Sequence, residues 1–178
     1  MNLQNVQLVI LDIQGKLSEI VYQSEEMLRN AHIAIEGSKI LEIPSIWVEQ
    51  MPDKLGATHP MIAETLEGKT SVKKSSFSAF GNTEFVNKLT QNNRKQVLLI
   101  GIETHICIYQ TAIDLLSDSY EVFVITDAVS SRTESNKQIG LQMLTEAGAK
   151  LFSTEAMLFA LLRTALHPKF RKIAKLVK

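Results

Sequence analysis

The 178-residue chain has a single cysteine, four prolines, one tryptophan and only 6% aromatic residues. Neither charge is in surplus, since 19 Lys+Arg face 19 Asp+Glu. One cysteine cannot close an internal disulfide, so Cys107 is either a small buried hydrophobe or a functional thiol. Zero formal charge and the lack of a basic stripe leave no electrostatic footprint for nucleic acid. The N-terminal MNLQNVQLVILD has no basic region ahead of its apolar run, and that run is far too short for a signal peptide or a membrane span. We therefore expect a soluble cytoplasmic protein with no nucleic-acid and no membrane partner. The four histidines, His32, His59, His105 and His167, show no ligand spacing such as H-x-H or H-x-x-x-H, so no metal and no cofactor are expected. Internal repeats, low-complexity segments and Pro/Gly-rich linkers are also missing, and the length suits one domain over 1–178.

What is present is an alternation. Short apolar runs, VQLVIL (6–11), IPSIWV (43–48), QVLLIG (96–101) and YEVFVIT (120–126), read as buried strands. Between them, stretches 24–41, 83–91, 104–117 and 134–146 carry helical periodicity. Continuous apolar strands alternating with helices predict a three-layer α/β/α, Rossmann-like fold whose mostly parallel sheet is covered on both faces. The stretch 49–60, EQMPDKLGATHP, is the longest irregular region and a candidate rim or lid. The C-terminal HPKFRKIAKLVK reads as a basic amphipathic helix docked by Phe170, Ile173 and Leu176.

In such a sheet, ligands bind beyond the carboxyl ends of the strands. Asp12 ends the first strand, Cys107 follows VLLIG at a helix start, and Asp127 ends VFVIT. A helix N-terminus lowers a thiol pKa and offers N–H donors to an oxyanion, which makes Cys107 a candidate nucleophile. SVKKSSFSAF supplies Lys73 and Lys74 ahead of a hydroxyl-rich turn. A carboxylate plus an ammonium can activate a thiol without histidine. His105 lies two residues before Cys107, too close along a helix to face it, so packing or lining the entrance is its expected role.

VILDIQ, KSSFSAF, GIETHICIYQTAIDLL and VITDAVSSR, in this order, resemble the four signatures of the isochorismatase-like cysteine hydrolases. The resemblance spans essentially the whole chain. EQMPDKLG and HPKFRKIAKLVK place it nearest the isochorismatase-domain-containing subgroup. Asp12 then matches the general acid/base, Lys74 the catalytic lysine and Cys107 the nucleophile. Lys74 rather than Lys73 stands four residues before Ser78 of S-A-F. The resemblance also implies a non-proline cis peptide at Ile102–Glu103 and an oxyanion hole from the backbone N–H groups of Glu103 and Cys107. Nicotinamidase members carry an Asp/His metal cluster after the second strand, which WVEQMPDKLGATH lacks. Members that cleave the vinyl ether of isochorismate tend to lack the cysteine, which is present here.

The expected function is a metal-independent cysteine hydrolase of a small amide, carbamoyl or related acyl substrate, working through a thioester. Pocket shape rests with 13–23 and 49–69. The rival readings are a binding or interaction module with a vestigial site, and a redox-sensing thiol. Zero net charge, together with apolar residues on more than one face of 104–117, also predicts a homo-oligomer.

Overall fold

A computed structural model describes residues 1–178. Six strands form one parallel sheet: β1 (Val6–Leu11), β2 (Ser45–Gln50), β3 (Val72–Lys74), β4 (Gln96–Ile102), β5 (Glu121–Ser130) and β6 (Lys150–Phe152). Their order across the sheet is β3-β2-β1-β4-β5-β6, and every pairing is parallel. From β1 the chain winds outward to β3, then crosses back beside β1 and winds the other way from β4 to β6. The winding reverses between β1 and β4, and this is where an open α/β sheet leaves a crevice at its carboxyl edge.

The strands are apolar on both sides because both sides are buried. Leu8 and Ile10 of β1 join a 25-residue core on one face, and Val9 and Leu11 join a 19-residue core on the other. Helices α1 (Leu17–Ile20) and α2 (Ser24–Ile40) follow β1, and the first core is filled largely by Met27, Leu28, Ala31 and Ile35 of α2. Between β2 and β3 run α3 (Pro52–Leu55) and α4 (Pro60–Thr65), each opened by a proline whose missing N–H suits the first helical turn. The second core takes Phe85 and Leu89 of α5 (Thr83–Gln91), Ala112 and Leu115 of α6 (Tyr109–Ser117), and Leu144 of α7 (Glu134–Glu146). Helix α8 (Thr154–Leu162) and helix α9 (Phe170–Leu176) return to the first face, where Phe159 and Phe170 meet edge to face at 6.1 Å. Ile173 is fully buried, and Phe170 packs against the same core.

Four differences separate the structure from the sequence expectation. Strand β2 starts at Ser45 rather than 43, because Pro44 has no N–H to give the ladder; its carbonyl accepts from Leu8 N instead. The edge strands β3 and β6 have three residues each, too few to show a period. Helix α8 reads TEAMLFALL, with no polar face to betray it, and most of its residues are buried. The stretch 104–117 is also two pieces, a π-helical turn at Thr104–Ile108 running into α6.

Candidate active site

Asp12 leaves β1 in a left-handed backbone conformation, φ 55°, and its N–H still bonds Val48 of β2 at 3.1 Å. Beside it, Gly101 of β4 adopts φ 129°, and a side chain there would place its Cβ 1.9 Å from the Leu11 carbonyl oxygen. Only glycine lets the two strand ends approach so closely. The Ile102–Glu103 peptide bond that follows is cis, and the chain then enters the π turn carrying Cys107. Helix α7 presses on this turn at Gly140, where a Cβ would stand 2.8 Å from His105 N.

Lys74 is the last residue of β3 and is buried, whereas Lys73 points to solvent. Its Nζ lies 2.8 Å from Asp12 Oδ2, with the two side chains 0% and 6% exposed. Gln50 Oε1 and the carbonyl oxygens of Ser76 and Phe77 also accept from Nζ, so the ammonium sits in a cage of oxygens. Gln50 is itself held, donating to the Ser75 carbonyl through its amide, while its backbone N–H donates to Gln14 Oε1.

The Cys107 thiol is buried against the Asp12 carboxylate. Burial pushes Asp12 above its ordinary value, Lys74 pulls it down less, and the Glu49 charge raises it slightly. Burial, then the Asp12 charge, push the thiol up to about 12, against smaller opposing contributions from Lys74 and the Glu103 backbone N–H. This corrects the expectation of a thiol acidified by a helix start. Cys107 lies inside the π turn, desolvated and facing a carboxylate, and both raise its pKa. A buried neutral thiol is also a poor redox sensor.

Asp12, Glu103 and Cys107 floor a cavity of about 340 Å³. Leu17, Leu55, Phe77, Ile102 and Ile106 form its apolar walls, and Lys16 and Lys54 stand at its edge without ion-pair partners. The segments 14–17 and 54–57 that carry much of this rim are fastened together, Gly15 N to the Ala57 carbonyl at 2.9 Å and Gln14 Nε2 to the Gly56 carbonyl at 2.8 Å.

The other sequence candidates lie outside the floor. The His105 ring pairs through Nδ1 with Ser131 Oγ at 2.9 Å. Asp127 accepts from Thr154 N and Oγ1 and fixes the start of α8. Residues missed in the sequence are Gln50 and Arg132. Arg132 donates through its backbone N–H and Nε to the Glu103 carboxylate at 3.0 and 3.1 Å, tying the end of VITDAVSSR to the cysteine turn. No group of three or more His, Cys, Asp or Glu residues is arranged to hold a metal ion. Glu49, the buried carboxylate after the second strand, is occupied by Thr58 N, Thr58 Oγ1 and Ser71 Oγ. No helix is long and apolar enough to cross a membrane.

A family model for the isochorismatase domain matches residues 6–156. The chain belongs to the isochorismatase domain family. Among similar members are the secreted isochorismatase effector Isc1 of Phytophthora sojae, 36% identical over 96% of this chain and 83% of that protein, and isochorismatase domain-containing protein 2 of Danio rerio, 36% identical over 96% and 85%. Among solved structures, the MAR1 ribonuclease of Caenorhabditis elegans superposes with a TM-score of 0.93 at 34% identity, over 99% of this chain and 91% of that one. The Escherichia coli YcaC protein, described as an octameric hydrolase of unknown specificity, shares the fold with a TM-score of 0.89 at 19% identity, over 98% and 94%. This family member is therefore hydrolase-like in fold as well as in sequence.

Proposed function

We propose that the chain is a metal-independent cysteine hydrolase of a small amide, carbamoyl or related acyl compound. The observation that carries this reading is the buried Asp12–Lys74 pair set against the only cysteine at the floor of one small cavity. The resting thiol keeps its proton, and Asp12, raised by burial, is a stronger base than a solvated carboxylate. As the sulfur lone pair forms the S–C bond, Asp12 takes the thiol proton and the carbonyl π electrons move onto oxygen. The backbone N–H groups of Glu103 and Cys107 receive that oxyanion. Collapse breaks the C–N bond, and the amine leaves with the proton from Asp12. Water then attacks the thioester and gives a proton to Asp12, and collapse releases the acid and a thiolate that recovers that proton. Lys74 holds the Asp12 side chain in place between these proton transfers.

The apolar walls and the cavity volume favour a compact acyl group over a polymer. The description of the Caenorhabditis elegans structure as a ribonuclease supports a second reading, in which the unpaired Lys16 and Lys54 meet phosphate. Zero net charge weighs against that reading. A panel of primary amides, carbamoyl compounds and small esters, with single-stranded RNA alongside, tests both. Release of ammonia or alcohol by the wild type but not by Cys107→Ala supports the hydrolase. RNA cleavage that survives Cys107→Ala, with no panel compound turned over, overturns it.

A further inference from the structure

Buried lysines are nearly always paired, because an isolated ammonium is costly to desolvate. Lys137 buries most of its length but keeps its Nζ open to solvent. It is 9% exposed on α7, yet it makes no ion pair, and the groups acting on it do so only at a distance. It lines a cavity of about 280 Å³ distinct from the thiol cavity, between the start of α2, the middle of β5 and α7.

Three carboxylates lie around this lysine, of which one is engaged and one stands outside the cavity. Asp127 of β5 accepts from Thr154 N and Oγ1. Glu134 of α7 acts on the lysine but does not line the cavity. Glu26 of α2 lines the cavity and has no ion-pair partner. One ammonium and one carboxylate thus face a shared space without touching. Burial lowers the Lys137 pKa, and Glu26, Asp127 and Glu134 counter this. The amide side chains of Gln23 and Gln138 complete the polar wall, and Met27 and Leu141 supply a short apolar strip.

Each class of small ligand meets this arrangement differently. A simple anion gains Lys137 but is repelled by Glu26 and Asp127. A simple cation gains Glu26 but is repelled by Lys137. A molecule with both charges satisfies both side chains, and the volume equals about nine waters at roughly 30 Å³ each, the size of a small amino-carboxylate. We propose that this cavity is a binding site for a small aliphatic zwitterion, its carboxylate on Lys137 and its ammonium on Glu26.

The site stands independently of the thiol chemistry and is tested without turnover. Thermal melts and calorimetry on the full chain would use alanine, β-alanine and 4-aminobutyrate, with propionate and butylamine at matched ionic strength as single-charge controls. At twentyfold saturation the fitting zwitterion should raise the melting temperature by about 4–7 °C. Glu26→Gln, at an exposed position, and Lys137→Met should each weaken binding at least about tenfold. No response to any of the three zwitterions up to about 50 mM overturns the proposal, since weaker binding would leave no useful occupancy. So does a control that binds as well as the zwitterions, or undiminished binding by folded Glu26→Gln.

Discussion

Replacing Asp12 with Asn should make Cys107 more reactive toward alkylation while abolishing hydrolysis. In the wild type the thiol is held near 12 by burial and by the Asp12 charge, with Lys74 opposing. Two unit charges about 4 Å apart interact by about 4 kcal/mol at an effective dielectric constant of 20, which is about three pKa units. Asn keeps the shape, removes the negative charge and leaves the Lys74 ammonium facing the sulfur, so the thiol should fall to about 9. The thiolate fraction at pH 8 then rises by about 10³. The less basic thiolate is intrinsically weaker by about 20-fold at a Brønsted slope near 0.45, which leaves a net acceleration of about 50-fold. Intact-mass kinetics with iodoacetamide between pH 7 and 10 read this directly. An Asp12→Asn protein alkylated no faster than wild type would refute the electrostatic reasoning, because Asp12 would not be what holds the proton on sulfur.

Four further outcomes follow from the same geometry. Lys74→Met strands a buried carboxylate and should lose activity and about 3–5 kcal/mol of stability at pH 8, with a smaller loss at pH 5 where Asp12 can protonate; urea melts at both values check it. Because burial raises Asp12 in the folded state, its contribution to stability is fullest below the unfolded carboxylate value and is lost as pH rises through the folded one. The stability of Asp12→Asn relative to wild type should therefore improve from pH 4 to pH 7, and movement in the opposite direction would show that the Lys74 attraction outweighs desolvation. Gly140→Ala places a methyl 2.8 Å from His105 N and should cost about 1–3 kcal/mol and displace the cysteine turn, seen as slower acylation with the fold retained. Light scattering should give at least twice 19.9 kDa, and a monomer mass would overturn the homo-oligomer expected from the sequence.

The fold was legible where the chain is doubly buried or strongly periodic. VQLVIL and QVLLIG announced β1 and β4 because both faces are covered, and β3 and β6 stayed hidden because three residues at a sheet edge carry no pattern. For the site, the strand-end rule located Asp12 and Cys107, and the family resemblance chose Lys74, which the structure buries while Lys73 faces solvent. The segments expected to shape the pocket supply Gln14, Lys16, Leu17, Gln50, Lys54 and Leu55. Gln50 and Arg132 were not legible, because their roles depend on side chains meeting across 24 and 29 residues of sequence. The thiol pKa was misjudged for a related reason, since desolvation depends on the whole surround rather than on one helix. The apolar breadth of 104–117 is largely explained within the domain: Ile108 and Leu115 enter the core, Tyr109 and Leu116 pack against it, and Ile106 lines the cavity.

The most direct test of the central claim is the mass of Cys107 itself after the Asp12→Asn protein meets an activated ester such as p-nitrophenyl acetate. Without the carboxylate the thiol can still be acylated, but no base remains to activate water against the thioester. The expected result is a stoichiometric burst of p-nitrophenolate followed by a stall, with peptide mapping placing one acetyl group on Cys107. An acyl group on another residue, or steady turnover with no adduct on Cys107, would contradict a thioester mechanism at this site.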